Sequence, residues 1–178
     1  MTPGAILSQD YFTFFGLERK LSLDADDLQQ RFYSLSRQFH PDRFARQSAA
    51  EQQYALDATA LLNDAYRVLR DPLQRAEYLL SQEGFDIGEQ KSKDVPPELL
   101  EEVFELNMLL EETPERSELE SSRSRFQAMM AQTDSEVLAQ FSEYDASGDR
   151  DTLQAIRGIL NRRRYIQNLL RDVEKALA

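Results

Sequence analysis

One amphipathic segment that runs into a proline constrains the fold of this chain more than any other feature. Its apolar residues recur at spacings of four, three and four: Leu28, Phe32, Leu35 and Phe39. This spacing places them on one face of an α-helix. Pro41 lacks an amide proton and disfavours helical angles at the residue before it. We therefore expect a helix that ends near residue 39 or 40 and presents His40, Pro41 and Asp42, here called the His-Pro-Asp motif.

The composition favours an all-α protein and argues against several kinds of site. Glycine and proline are scarce, with six of each, and no β-type alternation occurs. The chain has no cysteine and one histidine, which excludes disulfides and clusters held by thiolates and argues against a transition-metal site. We therefore expect no metal held by the protein and no other cofactor.

Charge and hydropathy narrow the possible partners. A net charge of -11 argues against nucleic-acid binding through phosphate contacts. No apolar run approaches the roughly 20 residues that a membrane helix needs, and no signal peptide is evident at the N-terminus. We expect a cytoplasmic protein that binds neither nucleic acid nor a membrane.

Helix signals organise the first half of the chain. Residues 1–9 carry no pattern and are expected to form a loose leader. Asp24 is a suitable N-cap for the helix that ends at the motif, and Ser48 with Glu51 has capping-box spacing, which predicts another long helix. We expect these two helices to form an antiparallel pair joined by a loop at 41–47. Small residues permit close packing on the second helix, whose predicted buried face is Ala58, Leu61, Leu62, Ala65 and Leu69.

A polar stretch divides the chain into two predicted domains. Residues 86–95 have no apolar pattern and fit a linker between domains at 10–85 and 96–178. In the second domain, a helix at about 97–112 carries a core stripe: Leu99, Val103, Leu106 and Leu110. A second stripe lies about 100° further round the helix and consists of Leu100, Phe104 and Met108. A second stripe needs a second partner, which is either another protein or a neighbouring domain or helix.

Two further helices complete the predicted second domain. Thr113 and Pro114 are expected to cap the first, which extends to about residue 146 unless residues 133–135 break it. The last spans about 151–177, and Arg163 interrupts its apolar stripe while Tyr165 lies off it.

Charge is unevenly distributed in this domain. Residues 94–120 hold ten acidic groups and one arginine, a net charge of -9, whereas residues 157–175 hold six basic and two acidic groups, a net charge of +4. One interpretation is surface pairing between antiparallel helices. The other is an acidic rim that orients a basic partner beside the second stripe, formed by Glu101, Glu102, Glu105 and Glu112.

The chemistry of the His-Pro-Asp motif favours recognition over catalysis. No nucleophile, glycine-rich elbow or phosphate loop accompanies the histidine, so we expect no catalytic residue. An imidazole, a rigid bend and a carboxylate suited to a partner's arginine make a compact binding element. Three arginines lie nearby in sequence and are candidate contacts, although each could be a plain surface residue: Arg31, Arg37 and Arg43.

Three segments in this order closely resemble a J-domain: DYFTFFGL at 10–17, HPDRF at 40–44 and NDAYRVLRDP at 63–72. The run RAEYLLS at 75–81 with GFD at 84–86 resembles the HscB subfamily. The resemblance implies a J-domain joined to a C-terminal three-helix bundle. It also implies a co-chaperone that binds a DnaK/HscA-type chaperone and stimulates its ATPase through the His-Pro-Asp motif, without being an enzyme itself.

The same resemblance implies that the second domain binds the iron-sulfur scaffold protein IscU, in aid of iron-sulfur cluster assembly. The matching positions are Leu100, Phe104, Glu105, Glu112 and Tyr165. Glu101 stands where the family has an apolar residue and Met108 where it has an acid, which shifts the expected patch toward Met108.

The first domain also departs from the generic pattern. J-domains often carry lysine or arginine one to three turns before the histidine, whereas Gln29 and Tyr33 stand at two such places here. This departure suits a specialised chaperone. Two alternatives remain open at this point: a J-domain adaptor for a different client, and a helical scaffold in which the motif is accidental.

Overall fold

The computed structural model describes residues 3–86 and 95–178. All regular structure within these ranges is helical, which confirms the expected all-α fold. The chain divides into two compact units, Met1–Gln82 and Glu83–Ala178. Most of the linker predicted over 86–95 lies outside the described residues, so its extent stays a prediction. None of the helices in the described ranges combines the length and apolarity needed to cross a lipid bilayer.

The first unit contains five α-helices and one 3₁₀ turn. They are α1 (Pro3–Leu7), α2 (Tyr11–Phe14), α3 (Ala25–Phe39), the 3₁₀ turn (Pro41–Phe44), α4 (Ala49–Arg70) and α5 (Pro72–Gln82). The expectation of a loose leader over residues 1–9 is wrong for α1. Ile6 and Leu7 are half-buried where this short helix contacts α4.

Local caps define the starts of α3 and α4, as predicted. The Asp24 carboxylate accepts a hydrogen bond from the Asp27 amide at the start of α3. Ser48 and Glu51 form a reciprocal capping box at the start of α4. The Ser48 hydrogen bonds lower the pKa of Glu51 below its ordinary value because they favour the ionised carboxylate.

Helices α3 and α4 form the antiparallel pair that the sequence predicts. Phe39 at the end of α3 contacts Tyr54 early in α4, whereas Phe32 stacks on Tyr66 further along α4, with ring centroids 4.2 Å apart. The face of α4 that meets α3 is rich in small residues, and five of its side chains are fully buried: Ala55, Ala58, Leu62, Ala65 and Leu69. Ala55 belongs to this face in place of the predicted Leu61, which is only half-buried.

A buried arginine ties three segments of the first unit together. Arg75 on α5 is 6% exposed. Its guanidinium donates hydrogen bonds to the carbonyls of Leu69 and Leu21. A buried cation is tolerable only when such bonds satisfy its donors, so Arg75 fixes α5 and the segment before α3 against the end of α4.

Over residues 95–178 the second unit contains three helices after a short 3₁₀ turn at Pro97–Leu99: α6 (Leu100–Glu111), α7 (Arg116–Ser147) and α8 (Arg150–Leu177). Helices α7 and α8 pack along their length and are joined by Gly148, whose φ of +65° lies in the left-handed region that favours glycine. Leu99 of the 3₁₀ turn and Leu106 of α6 belong to a shared core. The other buried members are Leu119, Phe126, Ile166, Leu169 and Val173.

Two boundaries in this unit differ from the sequence expectations. Helix α7 begins after Glu115, which forms a capping box with Glu118, so the predicted cap at Thr113 and Pro114 is wrong. Residues 133–135 do not break the helix. Thr133 is buried, and its hydroxyl donates to the Met130 carbonyl one turn earlier, which satisfies it inside the helix.

Tyr78 on α5 anchors the short helix α2. Its ring stacks on Tyr11 with centroids 4.4 Å apart, and its hydroxyl oxygen accepts a 2.9 Å hydrogen bond from the Tyr11 amide. This amide lies in the first turn of α2 and has no partner within the helix. Burial raises the pKa of the Tyr78 phenol above its ordinary value, although the amide hydrogen bond opposes that shift.

We predict that Tyr78→Phe lowers the free energy of unfolding by about 1–2 kcal/mol, because the part-buried Tyr11 amide loses its acceptor. Urea unfolding followed by far-UV circular dichroism measures the change. Tyr33→Phe is the matched control, since the Tyr33 hydroxyl makes no hydrogen bond with the described residues. Equal stabilities of the Tyr78→Phe variant and the wild type would contradict the anchoring role.

Candidate functional site

The His-Pro-Asp motif lies at the C-terminal end of α3, where the sequence predicts it. His40 leaves the helix with ψ of 127°, and Pro41 begins the 3₁₀ turn. The His40 Nδ1 atom accepts a hydrogen bond from the Asp42 amide at 3.3 Å, so a neutral ring carries its proton on Nε2. The Asp42 carboxylate is 92% exposed. The motif therefore presents an imidazole donor and an accessible acceptor side by side.

Phe39, the residue before the motif, fixes its position. The Phe39 side chain is 4% exposed and packs against Phe14 and Tyr54, with ring centroids 5.9 and 6.0 Å away. The Thr59 hydroxyl on α4 donates to the Ala55 carbonyl at 2.8 Å and also lies 3.2 Å from the Phe39 carbonyl. These contacts hold the end of α3 against α2 and α4, so the exposed motif stands on a rigid base.

Two of the three candidate arginines lie beside the motif. The Arg43 guanidinium turns back and donates to the Arg37 carbonyl at 3.3 Å. An open groove of 520 Å³ runs along this end of α3, here called the motif groove, and is lined by Tyr33, Ser36, Arg37, His40 and Arg43. The structure thus brings Arg37, His40 and Arg43 to one surface.

Arg31 is arranged differently from the other two arginines. Its guanidinium donates to the carbonyls of Phe15 and Gly16 at 3.2 and 3.0 Å and pairs with the Asp27 carboxylate at 2.8 Å. These bonds hold the turn after α2 against α3. The geometry favours a structural role for Arg31, and its contact with a partner stays a prediction.

The second candidate surface lies on α6 and consists of Leu100, Phe104 and Met108, here called the exposed stripe. These side chains are 55%, 65% and 49% exposed, whereas Leu99 and Leu106 on the opposite face are buried. Three of the six large apolar side chains exposed in the described ranges belong to this stripe. No helix in the described part of the second unit covers it, in agreement with the prediction that α6 has more apolar surface than the bundle uses.

The acidic residues of α6 are only partly available at this surface. Glu105 pairs with Arg125 of α7, with 2.8 Å between the carboxylate and the guanidinium. The sequence did not indicate Arg125, because 20 residues separate it from Glu105 and no local spacing links them. Glu101 and Glu112 are exposed. Tyr165 on α8 is half-buried and packs against the core, which restricts what it can offer to a partner.

Surface pairing between antiparallel helices, one of the two interpretations of the charge distribution, occurs in the second unit. Arg162 and Arg163 pair with Glu136 and Asp134 of α7, which lie outside the acidic segment. Helices α7 and α8 adjoin along their length, so their charges meet across the hairpin. Arg163, which interrupts the apolar stripe of α8, is explained by this pairing.

Comparison with known proteins assigns the chain to a family. A model of the DnaJ domain matches residues 10–78, and a model described as the HSCB C-terminal oligomerisation domain matches residues 95–174. A co-chaperone protein HscB homolog from Vibrio vulnificus strain YJ016 is 41% identical over 135 residues, which cover 75% of this chain and 78% of the relative. The chain belongs to the HscB family of co-chaperones.

Solved HscB structures agree with this assignment. Chaperone HscB from Vibrio cholerae aligns with a TM-score of 0.64 at 30% identity, covering 94% of this chain and 96% of that one. Human co-chaperone HscB aligns with a TM-score of 0.72 at 28% identity, covering 94% and 81%. The expected J-domain followed by a C-terminal HscB domain is confirmed, and membership of this family implies a DnaK-type chaperone as partner.

We predict that Arg31→Gln lowers the free energy of unfolding by about 1 kcal/mol, because two carbonyls at the turn after α2 lose a charged donor whose side chain is partly solvated. Arg37→Gln is the control on the same helix. Its exposed side chain predicts a change within about 0.5 kcal/mol. Urea unfolding compares them, and equal effects would contradict the structural role of Arg31.

Proposed function

We propose that this HscB family member stimulates the ATPase of an HscA-type chaperone through its His-Pro-Asp motif and delivers an IscU-type iron-sulfur scaffold protein to it. Family membership supports the co-chaperone role. The observation that carries the proposal is the exposed motif on a buried base at the end of α3. The protein acts as a regulator and adaptor in the cytoplasm, and the chaperone supplies the catalytic site.

The motif is suited to biasing the conformation of a partner. The Asp42 carboxylate can accept a charge-assisted hydrogen bond from a partner's arginine, and His40 can donate through Nε2. A ligand shifts a conformational equilibrium only by binding one state better than the other. The motif would therefore favour the hydrolysis-competent state of the chaperone, with Arg37 and Arg43 contributing to the encounter.

The exposed stripe supports the delivery part of the proposal. An uncovered apolar row with acidic neighbours is typical of a protein-binding surface whose rim is polar. The scaffold would contact Leu100, Phe104 and Met108, with Glu105, Glu112 and Tyr165 at the edge of the patch. Because Glu105 already pairs with Arg125, the most accessible carboxylate in this set is that of Glu112, at the C-cap of α6.

We predict that His40→Gln abolishes stimulation of an HscA-type chaperone in single-turnover ATP hydrolysis. The assay compares chaperone alone with chaperone plus this protein, each with and without IscU. Wild-type protein and scaffold together should stimulate more than either alone, and the variant should lose this synergy. The His40 side chain is 58% exposed, so the circular dichroism spectrum should not change.

The pattern of stimulation separates the alternatives. Stimulation without any added effect of IscU would contradict the scaffold assignment and favour an adaptor for a different client. Absence of stimulation by the wild type would contradict the choice of an HscA-type partner. Absence of stimulation with other DnaK-type chaperones as well would favour a helical scaffold in which the motif is accidental. Full activity of His40→Gln would contradict the role assigned to the motif.

We predict that Phe104→Ala weakens IscU binding by about tenfold, the loss expected for an exposed aromatic that becomes buried at the centre of an interface. Isothermal titration calorimetry measures the affinity. Leu138→Ala is the matched control, because Leu138 is a large apolar side chain on α7 of the same unit and is 46% exposed. Unchanged affinity in Phe104→Ala, or equal losses in both variants, would contradict the assignment of the stripe.

A further inference from the structure

Tyr33 is a large aromatic side chain that the fold of the first unit does not use. It lies on α3 and is 53% exposed. Its neighbour Phe32 fills the interface with α4 by stacking on Tyr66. The Tyr33 hydroxyl makes no hydrogen bond with the described residues. The Tyr33 ring lies 5.8 Å from that of Phe32, but half of the side chain stays exposed. The core of this unit therefore does not account for a tyrosine at position 33.

The position of Tyr33 connects it to the His-Pro-Asp motif. Residues 33, 36, 37 and 40 recur at helical spacing and share one face of α3. Tyr33 and His40 are seven residues apart, about two turns or 10 Å along the axis, and both line the motif groove. A partner segment that reaches His40 along this face would therefore cover the Tyr33 ring.

The motif groove combines a mainly apolar wall with a basic rim. Arg37 and Arg43 are both exposed. The Arg43 guanidinium is held at the edge by the Arg37 carbonyl, which reduces the conformational freedom it would lose on binding. Asp42 is the one carboxylate within the motif, and the groove lining itself contains none. The basic rim favours an acidic segment as the occupant, and the apolar wall favours an aliphatic side chain on that segment.

We propose that Tyr33 is a specificity-determining contact for the partner chaperone. Its ring receives an aliphatic side chain from an acidic surface segment of that chaperone while the motif engages beside it. The inference rests on the proposed function and deepens it, because it states how this J-domain selects one chaperone of the DnaK type over another.

A tyrosine and a basic residue at position 33 would differ in how their contact with the chaperone responds to salt. A lysine or arginine at position 33 would attract any acidic partner, and that attraction weakens as salt screens it. A tyrosine contributes through desolvation of its ring, which salt does not screen, and which depends on the shape of the partner. Discrimination between similar acidic surfaces then comes from the apolar contact.

The test measures single-turnover ATP hydrolysis by two chaperones, one of the HscA type and a general DnaK. Each is titrated with Tyr33→Ala, Tyr33→Phe and Tyr33→Lys, at low and at high salt. For the HscA-type chaperone, Tyr33→Ala should raise the concentration for half-maximal stimulation about tenfold, equally at both salts. The loss should fall on that concentration rather than on the maximal rate. Tyr33→Phe should keep most of the affinity that Tyr33→Ala loses. Tyr33→Lys should keep that affinity at low salt only, and it should reduce the preference for the HscA-type chaperone over the general DnaK.

Leu56→Ala is the matched control, since Leu56 is a 52% exposed apolar side chain on α4 that does not line the groove. It should leave both parameters unchanged. Equal titrations of Tyr33→Ala and wild type, a loss confined to the maximal rate, or an equal loss in Leu56→Ala would overturn the inference.

The result also separates this inference from the function on which it rests. If His40→Gln abolishes stimulation and Tyr33→Ala preserves it, the co-chaperone function stands and the role of Tyr33 is rejected. Absence of wild-type stimulation would reject both. Since Tyr33 is exposed, its variants should keep the wild-type circular dichroism spectrum, and Tyr33→Phe gives a second measurement should Tyr33→Ala be unstable.

Discussion

The anchoring of Phe39 is the interaction on which the first unit's function depends. A proline after a helix fixes where the helix ends, but it does not fix that end in space. The Phe39 ring lies between Phe14 and Tyr54, and its carbonyl is within hydrogen-bonding reach of the Thr59 hydroxyl. The buried Phe39 ring thus fixes the orientation of the His-Pro-Asp motif that follows it, while the motif itself stays exposed. Under the proposed function this stiffness favours binding, because ordering the motif at the moment of binding would cost free energy.

In the second unit, helix α6 has two apolar faces. Helices α7 and α8 form a long hairpin whose core can accept only one side of α6. Leu99 and Leu106 occupy that side, and the remaining apolar row faces solvent. The Glu105–Arg125 pair connects α6 to α7 next to this row. Exposed pairs of this kind contribute about 0 to 1 kcal/mol, so the pair orients α6 more than it stabilises the unit.

Local signals explain why much of this architecture is predictable from sequence. Asp24 and the capping box of Ser48 and Glu51 act within one helical turn, so spacing alone locates them. At the start of α7 the local signal is misleading, since Glu115 and not Thr113 is the cap, and spacing does not reveal contacts between distant residues. Arg31 bonds to carbonyls 15 and 16 residues away, and only the fold reveals that it is engaged there. Helix α1 is short for independent stability and depends on contact with α4, which no local pattern indicates.

The exposure of both surfaces limits how their charges can contribute to recognition. In water, an exposed ion pair gains little, and salt reduces that gain further. The charges around the motif therefore assist encounter and orientation more than they determine affinity. Selectivity has to come from groups that become desolvated when a partner binds, which are the apolar ones. On α6 that requirement points to Phe104, and on α3 it points to Tyr33, a half-exposed aromatic side chain that lines the motif groove.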